Sequence, residues 1–194
     1  MIKAVVFLGN PGAKYRDTRH NAGRLLSELY ALAWEPKFKG LYAPYKTPET
    51  TIHFLQPETF MNLSGESVIA LANFFKIDRA SILIVHDEIE LHLGAVSLKF
   101  SGGLGGHNGL RSIRAVLGSP DFWRLRLGVD RPPEGSSGAH DIADWVLNPF
   151  AADERPLLRE ALGIAKKCLD LCLTQEPDSL LPDYAKVNNL ALKG

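Results

Sequence analysis

Short apolar runs alternate along this chain with segments whose apolar residues recur at helical spacing, which predicts strands and helices in alternation. Ile2-Lys-Ala-Val-Val-Phe-Leu8 is rich in β-branched residues and reads as a buried strand. Leu25, Leu26, Leu29 and Leu32 then fall on one face of a helix. Lys37 to Tyr45, which mixes Pro, Gly, Lys and aromatics, predicts an irregular hairpin edge, and Thr51 to Leu55 a further strand. Gln56 to Gly65 reads as a loop into a helix through Val68, Leu71, Ala72 and Phe75. Ser81-Ile-Leu-Ile-Val85 is the most hydrophobic run and is expected at the centre of the sheet. Ala95 to Phe100 predicts another strand, Gly102 to Gly109 a glycine-dense loop, and Leu110, Ile113, Val116 and Leu117 a helix face. Phe122 to Val129 alternates apolar and basic residues in part, as a half-exposed strand would. Arg131 to Gly138 reads as a mobile loop. From His140 onward the pattern is helical, with a short segment to Leu147, a long one from Asp153 to about Leu173, and a tail. With no repeat, low-complexity tract or long linker, residues 1–194 are expected to form a single α/β domain, a twisted mixed β-sheet sandwiched by helices.

Composition narrows the partners. A chain of 194 residues that is 45% hydrophobic suits one substantial core. Lys plus Arg equals Asp plus Glu at 22 each, so no global field attracts nucleic acid, and an anionic partner needs a local patch. Lys99, Arg111, Arg114, Arg124, Arg126 and Arg131, against Asp121 and Asp130, supply one. No apolar run approaches the roughly 20 residues needed to span a bilayer, and the N-terminus lacks a signal-peptide layout, so the expectation is a cytoplasmic protein without a membrane partner. Cys168 and Cys172 lie four apart in a helical stretch and read as small core residues rather than a zinc site or a disulfide.

The candidate chemistry sits in the stretches that leave strand ends or open helices. Gly9, Pro11 and Gly12 force a turn after the first strand, and Thr18 reads as an N-cap that places His20 in the first turn of a helix. The partial positive charge there favours a neutral imidazole able to accept a proton. Asp87 directly follows the most hydrophobic run, and its carboxylate on His20 would oppose that effect and tune the ring near neutrality. The glycines before the third helix expose backbone N–H groups suited to a phosphate or an ester oxygen, and Asn108 adds an amide. Gly9-Asn-Pro-Gly-Ala-Lys14 lacks the ending of a P-loop, and Asn108 stands where a dinucleotide fingerprint needs its third glycine. His20, His53, His86, His92, His107 and Asp87 show no compact metal-ligand spacing, and there is no Gly-x-Ser-x-Gly elbow. A base without a nucleophile points to attack by water.

These stretches resemble the bacterial-type peptidyl-tRNA hydrolase family. The likeness rests on Gly9-Asn-Pro-Gly12 with Tyr15 and Thr18-Arg-His-Asn-Ala-Gly23, on Pro57-x-Thr-Phe-Met-Asn-Leu-Ser-Gly65, on His86-Asp-Glu88, on Gly105-Gly-His-Asn-Gly109 and on Arg124-Leu-Arg-Leu-Gly128. It implies hydrolysis of the ester between a peptide and the 3′ ribose of tRNA, which recycles the tRNA. His20 would be the base, Asp87 its orienting carboxylate, and Asn10 the reader of the peptide side. Asn62 and Asn108 would hold substrate and the attacking water or oxyanion. Tyr15, Phe60 and Met61 would line the crevice, and Lys99 and Arg126 would clamp tRNA phosphate near the acceptor end and 5′ phosphate. The resemblance implies no metal and no organic cofactor, and a monomer is expected. Leu104, Asp130-Arg-Pro-Pro and Trp145 depart from the family's pattern. An RNA-binding protein on the same scaffold, like the plant organellar splicing factors related to this family, is the other reading.

Overall fold

The computed structural model describes residues 1–133 and 139–185, and side chains within 139–141 are left aside. Most of the Arg131 to Gly138 loop and the end of the tail therefore lie outside the described residues. The strands are β1 (Ala4–Phe7), β2 (Glu35–Lys37), β3 (Gly40–Lys46), β4 (Thr51–Pro57), β5 (Ile82–Glu88), β6 (Val96–Phe100) and β7 (Trp123–Gly128). The helices are α1 (Ala22–Ser27), α2 (Ser64–Phe75), α3 (Asn108–Leu117), α4 (Ala139–Leu147), α5 (Arg155–Cys172) and α6 (Leu181–Tyr184). The strands form one mixed sheet in the order β2-β3-β4-β1-β5-β7-β6. β4, β1, β5 and β7 run parallel, whereas β2–β3, β3–β4 and β6–β7 pair antiparallel.

Side chains alternate across a strand, so each strand feeds two cores. Leu83 and Val85 of β5 pack with Phe7, Leu26 and the buried face of α5, while Ile82 and Ile84 pack with Val68, Leu71, Leu110 and Ile113 of α2 and α3. Cys168 and Cys172 are free and buried on α5, as their spacing predicts. The β2–β3 hairpin forms the expected edge, turning through left-handed Phe38 and Lys39. Among the described residues no helix is long and apolar enough to cross a membrane.

Four expectations need correction. The run from Ser81 continues as strand to Glu88 and lies beside the centre, which β1 occupies, although β5 is buried along its whole length. β7 is an interior strand rather than a half-exposed one, because Arg124, 1% exposed, donates to the carbonyls of Ser101 and Gly103 and so has its charge solvated by a loop. The first helix ends at Ser27 rather than near Leu32. Leu29 and Tyr30 instead donate to the carbonyls three residues back, a tightening that turns the Tyr30 ring onto Phe7 and Phe54. Gln56 to Gly65 is not all loop, since β4 runs to Pro57 and Met61–Leu63 form a 3₁₀ turn opening α2.

Candidate active site

The site forms at the carboxyl ends of β1 and β5, the usual place for chemistry on a parallel sheet. His20 lies in a 3₁₀ turn, Arg19–Asn21, immediately before α1. Gly23 fixes how closely this turn approaches the sheet, for a Cβ there would stand 2.5 Å from the Val85 carbonyl oxygen and 2.7 Å from that of Leu8. Thr18 has the extended backbone of an N-cap, yet its Oγ1 donates backward to the Tyr15 carbonyl at 2.7 Å instead of capping the turn. His20 is thus not in the first turn of the α-helix.

Asp87, penultimate in β5 and 2% exposed, lies 2.9 Å (Oδ1) and 3.1 Å (Oδ2) from His20 Nδ1. Its Oδ1 also lies 3.0 Å from Nε2 of His107, the residue that precedes α3. The tautomer of His107 follows from its other nitrogen. Nδ1 accepts from the backbone N–H groups of Gly109 and Leu110 at 3.1 and 3.3 Å, so the proton is on Nε2 and points to Asp87. The N–H groups at the start of α3, expected to be free for a ligand, are therefore partly occupied by His107. Gly109 is needed here too, because a Cβ would meet Met61 Sδ at 2.6 Å and His107 Cε1 at 3.1 Å.

Burial alone would push His20 down, but the charge of Asp87 and the hydrogen bond to it raise the ring above the ordinary histidine value. Burial would likewise push Asp87 up, and the two imidazoles overcome it, holding the carboxyl well below its usual range. His20 therefore donates from Nδ1, and in the neutral ring Nε2 carries the lone pair. His86 is poorly placed to accept a proton. Its Nδ1 donates to the Asp87 carbonyl at 2.6 Å, and burial, reinforced by His107, drives it well below the ordinary value.

His20, Asp87, His107 and Asn108 line a cavity of about 390 Å³ together with Ile142, Ala143 and Val146 of α4. Asn10 is not brought to this cavity. It lines a second pocket of about 260 Å³ with Asn21, Arg16 and Arg24. Two hydrogen bonds hold it near the His20 turn and the start of α2. Its backbone N–H donates to Asn21 Oδ1 at 2.8 Å, beside His20, and its Oδ1 accepts from Met61 N at 2.8 Å.

None of Tyr15, Phe60, Met61 or Asn62 lines the cavity at His20. Tyr15 sits in a 3₁₀ turn with the Lys14 ammonium 4.7 Å from its ring centroid. Met61 is buried, Asn62 is exposed, and Phe60 is 58% exposed, which leaves both free to meet a ligand. Lys99 and Arg126 lie on the antiparallel β6–β7 pair, beside Arg124. Arg126 donates to Ser97 Oγ at 2.8 Å and stands 3.5 Å from Glu88. Burial, then Arg124 and Arg126, lowers the Lys99 pKa, as expected of crowded cations.

Three residues also offer metal-ligand atoms: those of His20, Asp87 and His107 lie within 4.8 Å of one another. No sequence spacing announced this grouping, because it joins three segments. The hydrogen bonds at 2.9 and 3.0 Å already satisfy the carboxylate with two N–H donors. His107 is the residue that sequence reasoning undervalued, weighing it only as a metal ligand; the available signal was an acceptor-bearing side chain at a helix start.

A family model described as peptidyl-tRNA hydrolase matches residues 4–191. The peptidyl-tRNA hydrolase of Delftia acidovorans is 47% identical over 173 residues, covering 86% of this chain and 82% of that protein. That of Desulfitobacterium hafniense is 42% identical over 187 residues, covering 94% and 99%. The crystal structure of peptidyl-tRNA hydrolase from Acinetobacter baumannii matches with a TM-score of 0.82 at 33% identity, covering 95% of this chain and 92% of that one.

Proposed function

The chain belongs to the peptidyl-tRNA hydrolase family, and on that premise we propose that it cleaves peptidyl-tRNA with His20 as base. In this mechanism Nε2 of His20 takes a proton from water as its oxygen bonds to the ester carbonyl carbon. The tetrahedral intermediate then expels the 3′ oxygen of the terminal ribose, which receives that proton from the imidazolium. The products are the peptide's carboxylic acid, which ionises by releasing its proton to solvent, and tRNA with its 3′ hydroxyl restored for recycling. Asp87 holds the Nδ1–H tautomer and stabilises the transient imidazolium, and His107 holds Asp87. The observation that carries this reading is the 2.9 Å contact between His20 Nδ1 and a buried carboxylate, in a ring that lines a cavity.

The remaining roles follow from position and chemistry. Asn108 at the cavity and Asn62 on its exposed turn would hold the water, the oxyanion or the substrate. Asn10, with Oδ1 engaged by Met61, offers its amide N–H₂ to the peptide side. Tyr15, Phe60 and Met61 would flank the terminal nucleotide or the peptide. Lys99 and Arg126 would meet phosphate at the acceptor end. The protein would act as a cytoplasmic monomer.

Release of N-acetyl-amino acid from N-acetyl-aminoacyl-tRNA tests the activity, and absence of release with retained tRNA binding would favour the RNA-binding reading. Lys99→Ala combined with Arg126→Ala is expected to weaken tRNA binding and flatten its log–log salt dependence by about 1–2. An unchanged slope would put the phosphate contacts elsewhere. Because protons already occupy the His20–Asp87–His107 contacts, turnover is expected to survive exhaustive EDTA treatment. Loss of activity that zinc restores would instead give those atoms to a metal.

A further inference from the structure

Arg19 immediately precedes the proposed base and is itself 3% exposed. Its Nη2 donates to both Glu154 carboxylate oxygens, at 2.8 and 2.7 Å, and its Nη1 to the Pro149 carbonyl at 2.8 Å. The guanidinium also lies over the Trp145 ring, 3.7 Å from its centroid. Trp145 is also held at its edge, with Nε1–H donating to the Asp130 carbonyl at 2.8 Å just beyond β7. The main chains join as well: Arg19 N–H donates to the Asn148 carbonyl at 3.1 Å and Phe150 N–H to that of Asp17 at 3.2 Å.

These contacts converge on two things the cavity needs. On one side is the turn that carries His20. On the other is α4, whose Ile142, Ala143 and Val146 line the same cavity as His20. Apolar packing of equal volume could hold the two segments together without burying a charge. What a planar, stacked guanidinium adds, with its two terminal nitrogens on different acceptors, is orientation.

We propose that Arg19 is a positioning residue that fixes the His20 turn and the α4 wall as one unit, keeping His20 Nδ1 on Asp87. The inference rests on the reading of His20 as base. It is tested with Arg19→Lys, which keeps the charge and loses the fork, and with the isosteric Glu154→Gln, so that a variant that fails to fold does not end the test. Thermal unfolding gives the folded fraction, turnover of N-acetyl-aminoacyl-tRNA gives kcat and KM, and ¹⁵N imidazole NMR reports the His20 Nδ1–H bonded to Asp87. In folded protein, kcat is expected to fall about 10–100-fold with KM changed less than about threefold, the cost of misplacing a reacting group. The Nδ1–H signal is expected to broaden or shift. Wild-type kcat and an unchanged signal in both variants, or a rate loss matching the unfolded fraction alone, would overturn the proposal. The NMR arm does not depend on what His20 does in turnover. Full activity in His20→Ala would therefore remove the base while the signal still decides the role of Arg19.

Discussion

His20→Ala is expected to lower kcat for N-acetyl-aminoacyl-tRNA by roughly 10²–10⁴-fold, the usual worth of a positioned general base. The size follows from the geometry. His86 is driven too far toward the neutral form to be a useful acceptor and has its Nδ1 on a carbonyl. His107 has Nδ1 committed to two backbone N–H groups and Nε2–H to Asp87, so it has no lone pair to offer. Neither histidine therefore replaces the lost base, and the Glu88 carboxylate that also lines the cavity accepts from Arg126 and from Glu90 N–H. The substitution also leaves the buried Asp87 with one imidazole partner instead of two, which costs about 1–3 kcal/mol of stability. Single-turnover rates on protein of verified folded fraction check the result. Activity near wild type would remove His20 from the chemistry.

The second large effect belongs to Asp87→Asn, expected to cost about 10²–10⁴-fold in kcat, because the tautomer and the imidazolium both lose their support. Its pH signature is more telling than its size. With the carboxylate present the His20 pKa is raised, and only the deprotonated ring acts as base, so kcat/KM climbs with pH through a limb above the ordinary histidine value. With Asn in place burial is the larger influence left, so the limb moves to lower pH while the plateau drops. Stability follows the same linkage. The depressed Asp87 pKa contributes stability above its unfolded value, lost as pH falls through the folded one. The raised His20 pKa contributes stability below its unfolded value, lost as pH rises through the folded one. The pair's contribution is thus greatest between the two titrations, and melting temperatures of Asp87→Asn across that window are expected to lose this dependence. An acid limb that stays where it was would separate Asp87 from the base.

Local pattern made much of this legible, and the failures have identifiable causes. β1 and β5 are buried on both faces and spell it out as continuous apolar runs. Phe122 to Val129 misled because the groups that solvate Arg124 are carbonyls of Ser101 and Gly103, which no spacing within β7 reveals. The first helix read too long because Leu29 and Leu32 keep the helical period after the backbone has tightened into turns. Within the site, His20, Asp87 and Asn108 do share a cavity, as loops leaving parallel strands suggested. Asn10 leaves the end of β1 but faces a neighbouring pocket, since its carbonyl and N–H are held by Asn21 and its amide oxygen by Met61. The part His107 plays beside Asp87 was not legible because it is set by which nitrogen the start of α3 occupies, and that is a property of three dimensions.

The claim on which the rest depends is that the proton leaving water arrives at His20. Titrating the His20 ring by NMR and measuring kcat/KM over pH in the same buffer tests it most directly. If His20 is the base, the acid limb of the rate coincides with the ring's titration, both above the ordinary histidine value. A rate that stays level while the ring titrates would contradict it.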